Sequence, residues 1–398
     1  MRDYVLYKGC SEWLYAASIA ATWVWAPALF VSSSKAYYAG IDGFLWFLIP
    51  NILTLVLFGW FASKVKDTNF VSVFDVVKTA STSQAYIHEI VSVMLLLGST
   101  AVQLVGIHTL IVEWMEVPKI VSLLLVSGIC LALVWKNGLK SCISTDLVKY
   151  IILLLSGVVL ASISVYSGEF HGWQGLNDTS VIHEAATFGI ITAIGLFSAP
   201  YVDQTFWQRS FSIGSDKVLS VFCKAALLFG IIPLLFGLVG FFSTGDATWA
   251  ISSNFDGVPA IVLLVGVLCA LISTLDSNLC AISSFVWKAS STNNVRNARL
   301  AMLALIAVAG FIFLATNFTI TQWFLLYGTV RTCVAIPTVL IILDRYDTNK
   351  LFSSTLVSVV CAPIGYALTV GTGFEWLFTI SGFLLPILGY KPKEVLTN

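Results

Sequence analysis

The sequence predicts an all-α polytopic membrane protein of about twelve transmembrane helices, and three observations carry that prediction. Of its 398 residues, 58% are hydrophobic and only 11% are charged. Mean hydropathy is +0.91. The apolar residues run in uninterrupted stretches, each near the roughly 20 residues a helix needs to cross a bilayer. These stretches fall at 11–33, 43–63, 88–112, 118–135, 147–167, 183–204, 217–242, 257–288, 300–316, 319–342, 351–370 and 374–390. One membrane domain over 1–398 is the expected organisation, in contact with the lipid bilayer along most of its length.

Orientation follows from Lys and Arg, which cytoplasmic loops retain in excess. With the N-terminus inside, only Lys35 and Lys119 fall on outer segments, and Lys224 and Arg331 lie within spans. The other 17 of the 21 basic residues are then on inner segments. Missing one span would collapse a 17 to 2 asymmetry, so it supports both the helix count and the direction. Both termini are expected in the cytoplasm, with the chain in a bacterial-type inner or plasma membrane.

Other classes are excluded by what the chain lacks. The first apolar stretch is too long and too rich in Trp for a cleavable signal peptide. The eight cysteines are scattered, with no CxxC and no His cluster, so neither a disulfide framework nor a zinc site is indicated. Short loops and zero net charge offer no nucleic-acid surface, and nothing resembles an enzyme module.

Taken in order, the spans show a repeat. Span 1 carries Trp23-Val24-Trp25-Ala26-Pro27-Ala28, and span 6 carries Phe197-Ser198-Ala199-Pro200-Tyr201. The prolines are 200 − 27 = 173 residues apart. Span 3 holds Ser99-Thr100 and span 8 holds Ser273-Thr274, an offset of 273 − 99 = 174. Spans 1–5 (11–167) and 6–10 (183–342) therefore read as two copies of one unit, followed by two additional helices (351–390). Five spans being odd, the second copy enters from the opposite side, a 5+5 inverted repeat. Proline lacks an N–H and clashes with the preceding turn, so helices 1 and 6 are expected to break near Pro27 and Pro200. A simple kink is the alternative. Broken helices free backbone carbonyls at mid-membrane, where solute and sodium are held in transporters of this architecture.

Span 8 is the most informative line. Ala270-Leu271-Ile272-Ser273-Thr274-Leu275-Asp276-Ser277 sets two hydroxyls and a carboxylate in hydrocarbon, where charge is costly and usually functional. Hydroxyls joined by free carbonyls suit a hard cation such as sodium. Small packing residues between helices are the plain alternative. In span 10, Arg331 is too deep to snorkel easily. It is expected either to hold an anionic group or to pair structurally with Asp203 or Asp276, the latter being favoured.

Three stretches resemble the sodium:solute symporter family, with its LeuT-type fold. Gly138-Leu139-Lys140 and Thr145-Asp146-Leu147-Val148-Lys149 are similar to the family's Gly-Leu-Lys…Thr-Asp-x-x-Gln entry into helix 5. Asp203-Gln204-Thr205-Phe206-Trp207-Gln208-Arg209 is similar to its Asp-Gln-x-x-Trp-Gln-Arg stretch in helix 6. Ala270–Ser277, followed by Ala281–Ser284, resembles its helix 8. The resemblance covers roughly residues 10–345. It implies sodium-coupled symport of a small organic solute into the cytoplasm by alternating access. It also implies a sodium site made of the Ser273 and Thr274 hydroxyls with the carbonyls of Ala21, Val24 and Ala270. Asp146 would stand on the sodium exit path, a role compatible with capping helix 5.

Residues 20–40 are similar to the urea-permease branch, although that branch has Ala-Thr where this chain has Pro27-Ala28. A urea-like or other small neutral solute is the expectation, with Trp23, Trp25, Ala28, Phe197, Tyr201 and Gln204 as solute-site candidates. Aromatic packing is the competing reading for the rings. Span 2 contains no acidic residue, which disfavours a hexose. Relative to typical members, the chain lacks a helix before helix 1 and reads as a trimmed symporter. The alternatives are a non-transporting sensor that keeps the sodium site, or a passive channel.

Overall fold

The computed structural model describes all residues except 1–3, 66–68, 116, 171–183, 185–187, 243–254, 290–293, 318, 371, 373 and 393–398. Every described element is helical apart from one isolated bridge between Tyr346 and Tyr390. The start of span 6, at 183 and 185–187, lies outside the described residues.

Span 1 is two helices, α1 (Glu12–Trp23) and α2 (Ala26–Tyr38), bent by 64°. Then come α3 (Gly40–Ala62), the short α4 (Val73–Lys78), α5 (Thr82–Met115), α6 (Lys119–Val134) and α7 (Leu139–Ser167). Span 6 is α8 (Ile190–Val202) and α9 (Gln204–Ser212), separated by Asp203. The chain continues through α10 (Val218–Phe241), α11 (Val258–Ala289), α12 (Val295–Ala315), α13 (Ile320–Ile342), α14 (Thr348–Thr369) and α15 (Glu375–Leu384).

Among the described residues, eight helices are long and apolar enough to cross a membrane, or nine when the bent pair counts as one span. The remaining three expected spans are shorter apolar helices: Lys119–Val134, Ile190–Val202 and Glu375–Gly389. The reason is geometric. At 1.5 Å per residue, the 16 residues of α6 reach only about 24 Å, and span 6 is divided by its break.

Both breaks are displaced from the prolines that suggested them. In span 1 the gap is Val24-Trp25, and Pro27 sits in the first turn of α2. That position costs no hydrogen bond, since the first N–H groups of a helix have no intrahelical partner. In span 6 the proline lies inside α8 and the break follows three residues later, at Asp203. Asp203 makes that restart possible: its Oδ1 accepts from the Thr205 N–H at 2.9 Å, capping α9. Pro27 therefore follows its break and Pro200 precedes its own, so the two prolines do not mark equivalent points.

α7 begins at Leu139, eight residues before the expected span 5. Gly138, at φ +54, supplies the turn that starts it, and a Cβ there would strike the Tyr4 carbonyl. Asp146 is thereby carried two turns into the helix and buried. It does not cap this helix. Lys149 and Arg209, counted above as inner-loop charges, are also buried. Without them the basic asymmetry is 15 to 2 and still favours the same orientation.

The bundle core is continuous from α1 to α13. α11 packs along α7, α8 along α13, and α10 along both α2 and α3. Consequently the two broken spans are held between long, intact helices. At the α8–α13 crossing the backbones nearly touch: a Cβ on Gly195 would stand 3.0 Å from the Gly328 Cα.

Candidate cation and solute site

Ending α1 at Trp23 leaves the last carbonyls of that helix without N–H partners one turn on. They meet α11. The Thr274 hydroxyl lies 3.1 Å from the Thr22 carbonyl, 3.3 Å from that of Val24 and 3.5 Å from that of Ala270. Four oxygens from two helices thus converge at the break, all in residues no more than 4% exposed. Of the expected sodium set, Thr274, Val24 and Ala270 are brought together here. The Thr22 carbonyl joins them, and no contact places the Ala21 carbonyl in the cluster. Ser273 turns the other way and donates to Asp146 Oδ1 at 2.7 Å.

Below Thr274 runs a polar ladder built from α1 residues spaced by three and four, which share one helix face. Thr22 Oγ1 lies 2.9 Å from Ser277 Oγ. Ser18 donates to Asp146 Oδ2 at 2.6 Å. Tyr15 donates to the Ser212 carbonyl at 3.1 Å. Past Tyr15 the ladder reaches a vestibule of about 730 Å³ at the start of α1 and the end of α9, with Cys10, Glu12 and Lys217 among its lining. This is the face that the basic asymmetry assigns to the cytoplasm.

Asp146 is the hub of the ladder. Besides Ser18 and Ser273, it contacts Lys149 Nζ at 3.3 Å and Arg209 Nη2 at 3.2 Å. Lys149 also pairs with Asp276. Arg209 donates to Ser277 Oγ at 2.7 Å and to Ser18 Oγ at 2.9 Å. Two buried carboxylates therefore face two buried cations, which is what low-dielectric burial of charge requires. Cys142, Asp146 and Asp276 bring potential metal ligands within 4.8 Å of one another. Lys149 and Arg209 already neutralise that site, so it offers no unbalanced charge to a divalent ion.

Arg331 does not pair with Asp203 or Asp276. Asp276 is engaged by Lys149, and Asp203 Oδ1 is engaged by Thr205. Instead the guanidinium carbon lies 3.6 Å from the Tyr327 ring centre and 4.8 Å from that of Trp25. The Ser99-Thr100 pair of span 3 is engaged as well: Asn278 Nδ2 donates to Ser99 Oγ at 3.0 Å and lies 3.3 Å from Thr100 Oγ1.

The expected solute residues fall into separate groups. Trp23 packs edge-on against Phe206 at 5.0 Å and donates to the Asn51 carbonyl. Trp25 stands with Phe324, Tyr327 and Arg331, and Ala28 is buried on the next turn. Tyr201 packs against Phe58 and Phe61. Phe197 lines a surface groove between α3 and α8. The Gln204 amide bonds Val71, Val73 and Ser284. The four rings do not form one cage. Sequence reasoning missed Ser18, Thr22, Ser277, Lys149 and Arg209. The α1 spacing 15, 18, 22 was the readable signal, together with Lys149 standing where the family motif has Gln.

The chain matches the family model described as Sodium:solute symporter family over residues 5–325. It is 25% identical over 257 residues to the probable urea active transporter 1 of Schizosaccharomyces pombe, covering 56% of this chain and 37% of that protein. To the urea-proton symporter DUR3 of Oryza sativa subsp. japonica it is 22% identical over 287 residues, covering 58% and 39%. The matches span under two-fifths of those relatives' own length. In structure it is similar to a substrate-bound, outward-open Na+-coupled sialic acid symporter, with TM-score 0.77, 15% identity and 98% and 90% of the two chains covered. It is also similar to Mhp1, a nucleobase-cation-symport-1 family transporter, with TM-score 0.64, 12% identity and coverage of 96% and 91%. At such identities the structural likeness speaks for fold, and the fold is LeuT-type. With the family match running through most of the chain, this integral membrane protein belongs to the sodium:solute symporter family, a family of transporters and not of enzymes.

Proposed function

We propose that this chain carries a small neutral, urea-like solute into the cytoplasm together with sodium, by alternating access. The observation that carries the reading is the meeting of the Thr274 hydroxyl with the carbonyls of Thr22, Val24 and Ala270 at the break of span 1. Neutral hydroxyl and carbonyl oxygens bind a monovalent cation without trapping it. In this reading Ser273 completes the shell by turning from Asp146, the Ala21 carbonyl joins from the same turn, and Asp146 receives the ion on its way to the vestibule. The mechanical frame is a 5+5 inverted repeat, 11–167 and 183–342, with both termini cytoplasmic. One unit rocks against the other around the broken helices. The membrane is a bacterial-type inner or plasma membrane. The urea-like solute is supported by the names of the curated relatives and by the helix-1 resemblance.

The test is uptake of radiolabelled urea into proteoliposomes, driven by an inward sodium gradient or by potassium at equal pH. Uptake that follows the sodium gradient is expected; equal uptake in both overturns sodium coupling. One observation favours a second reading, with the proton as coupling ion. Lys149 replaces the motif's Gln and ties Asp146 to Asp276 beside Ser273, placing titratable groups where the ion is expected to pass. Uptake driven by a pH gradient alone would select that reading.

A further inference from the structure

Three buried polar side chains at the break of span 1 have hydrogen-bond capacity left over. Arg331 Nε and Nη1, Trp25 Nε1 and Gln103 Nε2 lack a partner, although Arg331, Trp25 and Gln103 are 2%, 3% and 0% exposed. Gln103 is fixed there because its Oε1 accepts from the Ala26 N–H at 2.8 Å, in the first turn of α2. Arg331 is fixed by stacking on Tyr327 and Trp25. Stacking engages the face of the guanidinium and leaves the N–H groups at its edge unbonded. Buried donors are nearly always satisfied, and the orphans on these three side chains are all donors. The missing partner is therefore an acceptor.

We infer that Arg331 and Trp25 bind and orient the solute, taking a carbonyl oxygen of a neutral, planar molecule of the urea or amide class. The inference rests on the symport reading and names the residues that would give it selectivity. Planarity suits the guanidinium edge, since a flat carbonyl compound can lie in the plane of the N–H groups that stacking on Tyr327 and Trp25 leaves free. Neutrality comes from the symport reading, in which the solute is urea-like. The α2 N-terminus adds a positive end that favours an oxygen at the same point.

The experiment measures urea, acetamide and acetate as competitors of radiolabelled urea uptake, with R331Q, R331K and W25F beside the unmodified protein. Sodium binding without solute is followed in parallel by thermal unfolding. Urea and acetamide are expected to compete and acetate to fail. R331Q should raise the urea KM at least tenfold and W25F several-fold, with the sodium response unchanged. R331K, which keeps the charge, and W25F, which keeps the ring, test the same point if R331Q does not fold. An unchanged KM in both W25F and the Arg331 variants overturns the inference, as does competition by acetate alone. A sodium response with no urea or acetamide transport also overturns it and leaves the coupling site standing. Loss of the sodium response with the Arg331 effect intact overturns the coupling and not this inference.

Discussion

At the scale of single residues, the proposed function rests on groups whose contacts exceed what packing a helix requires. Thr274 is one, because three carbonyls face a single hydroxyl that can donate to only one of them. Thr274→Val keeps the shape and removes the oxygen. The lost ion–dipole contact is comparable with a hydrogen bond to a charged group, roughly 1.5–3 kcal/mol, so sodium affinity should fall on the order of tenfold to a hundredfold, read as a rightward shift of sodium-dependent thermal stabilisation. An unshifted titration would reduce Thr274 to packing. Lys149 is the second such residue. Lys149→Gln leaves Asp146 and Asp276 with Arg209 as their remaining buried cation, and breaking a buried pair in this way costs about 3–5 kcal/mol. The variant should melt earlier in potassium and be rescued by sodium, which can enter between the carboxylates. Equal melting in the two salts would show that the pair is structural alone.

At the scale of helices, the prolines were legible as marks of interruption but not as its location. Pro27 begins α2 and Pro200 sits inside α8, because proline tolerates a first turn and a packed membrane helix alike. Asp203, whose cap makes the second restart, was visible only as part of a motif. The hydroxyl pair at Ser273 and Thr274 was legible from type and depth. The buried quartet of Asp146, Lys149, Arg209 and Asp276 was not: only Asp146 and Lys149, three residues apart on α7, pair locally, and Arg209 and Asp276 reach them from α9 and α11. The α8–α13 contact was equally hidden, being a meeting of two glycines 133 residues apart (328 − 195). That contact makes its own prediction. Gly195→Val forces the backbones apart and, as overpacking, should cost about 1–3 kcal/mol. Transport should fall more than sodium affinity, because the substitution loads the seam of span 6 and spares the Thr274 cluster. Parallel losses in both would assign the contact to stability only.

At the scale of the whole molecule, the ladder runs from the Thr274 cluster to the vestibule, one path to one side of the bundle. On the symport reading, sodium at Thr274 would bridge α1 to α11 and should favour the state in which that path is shut. By linkage, whatever closes the path must also tighten sodium. Cys10 is a natural reporter, half-buried on the vestibule wall. Burial pushes its thiol above the ordinary range, and the thiolate is the reactive form. Labelling of a chain retaining only this cysteine should therefore be slow at neutral pH and keep accelerating as pH rises past about 8.5. At fixed alkaline pH, an impermeant thiol reagent should reach Cys10 from the cytoplasmic face, and sodium should slow it several-fold. Solute added with sodium should speed it again, as both ligands are carried to the inward-open state. Thr274→Val should abolish the sodium effect and keep the basal rate. A reagent that reached Cys10 only from outside would reverse the topology, and a rate indifferent to sodium would disconnect the vestibule from the cation. The combination of inside access and sodium protection is what coupling across this ladder demands.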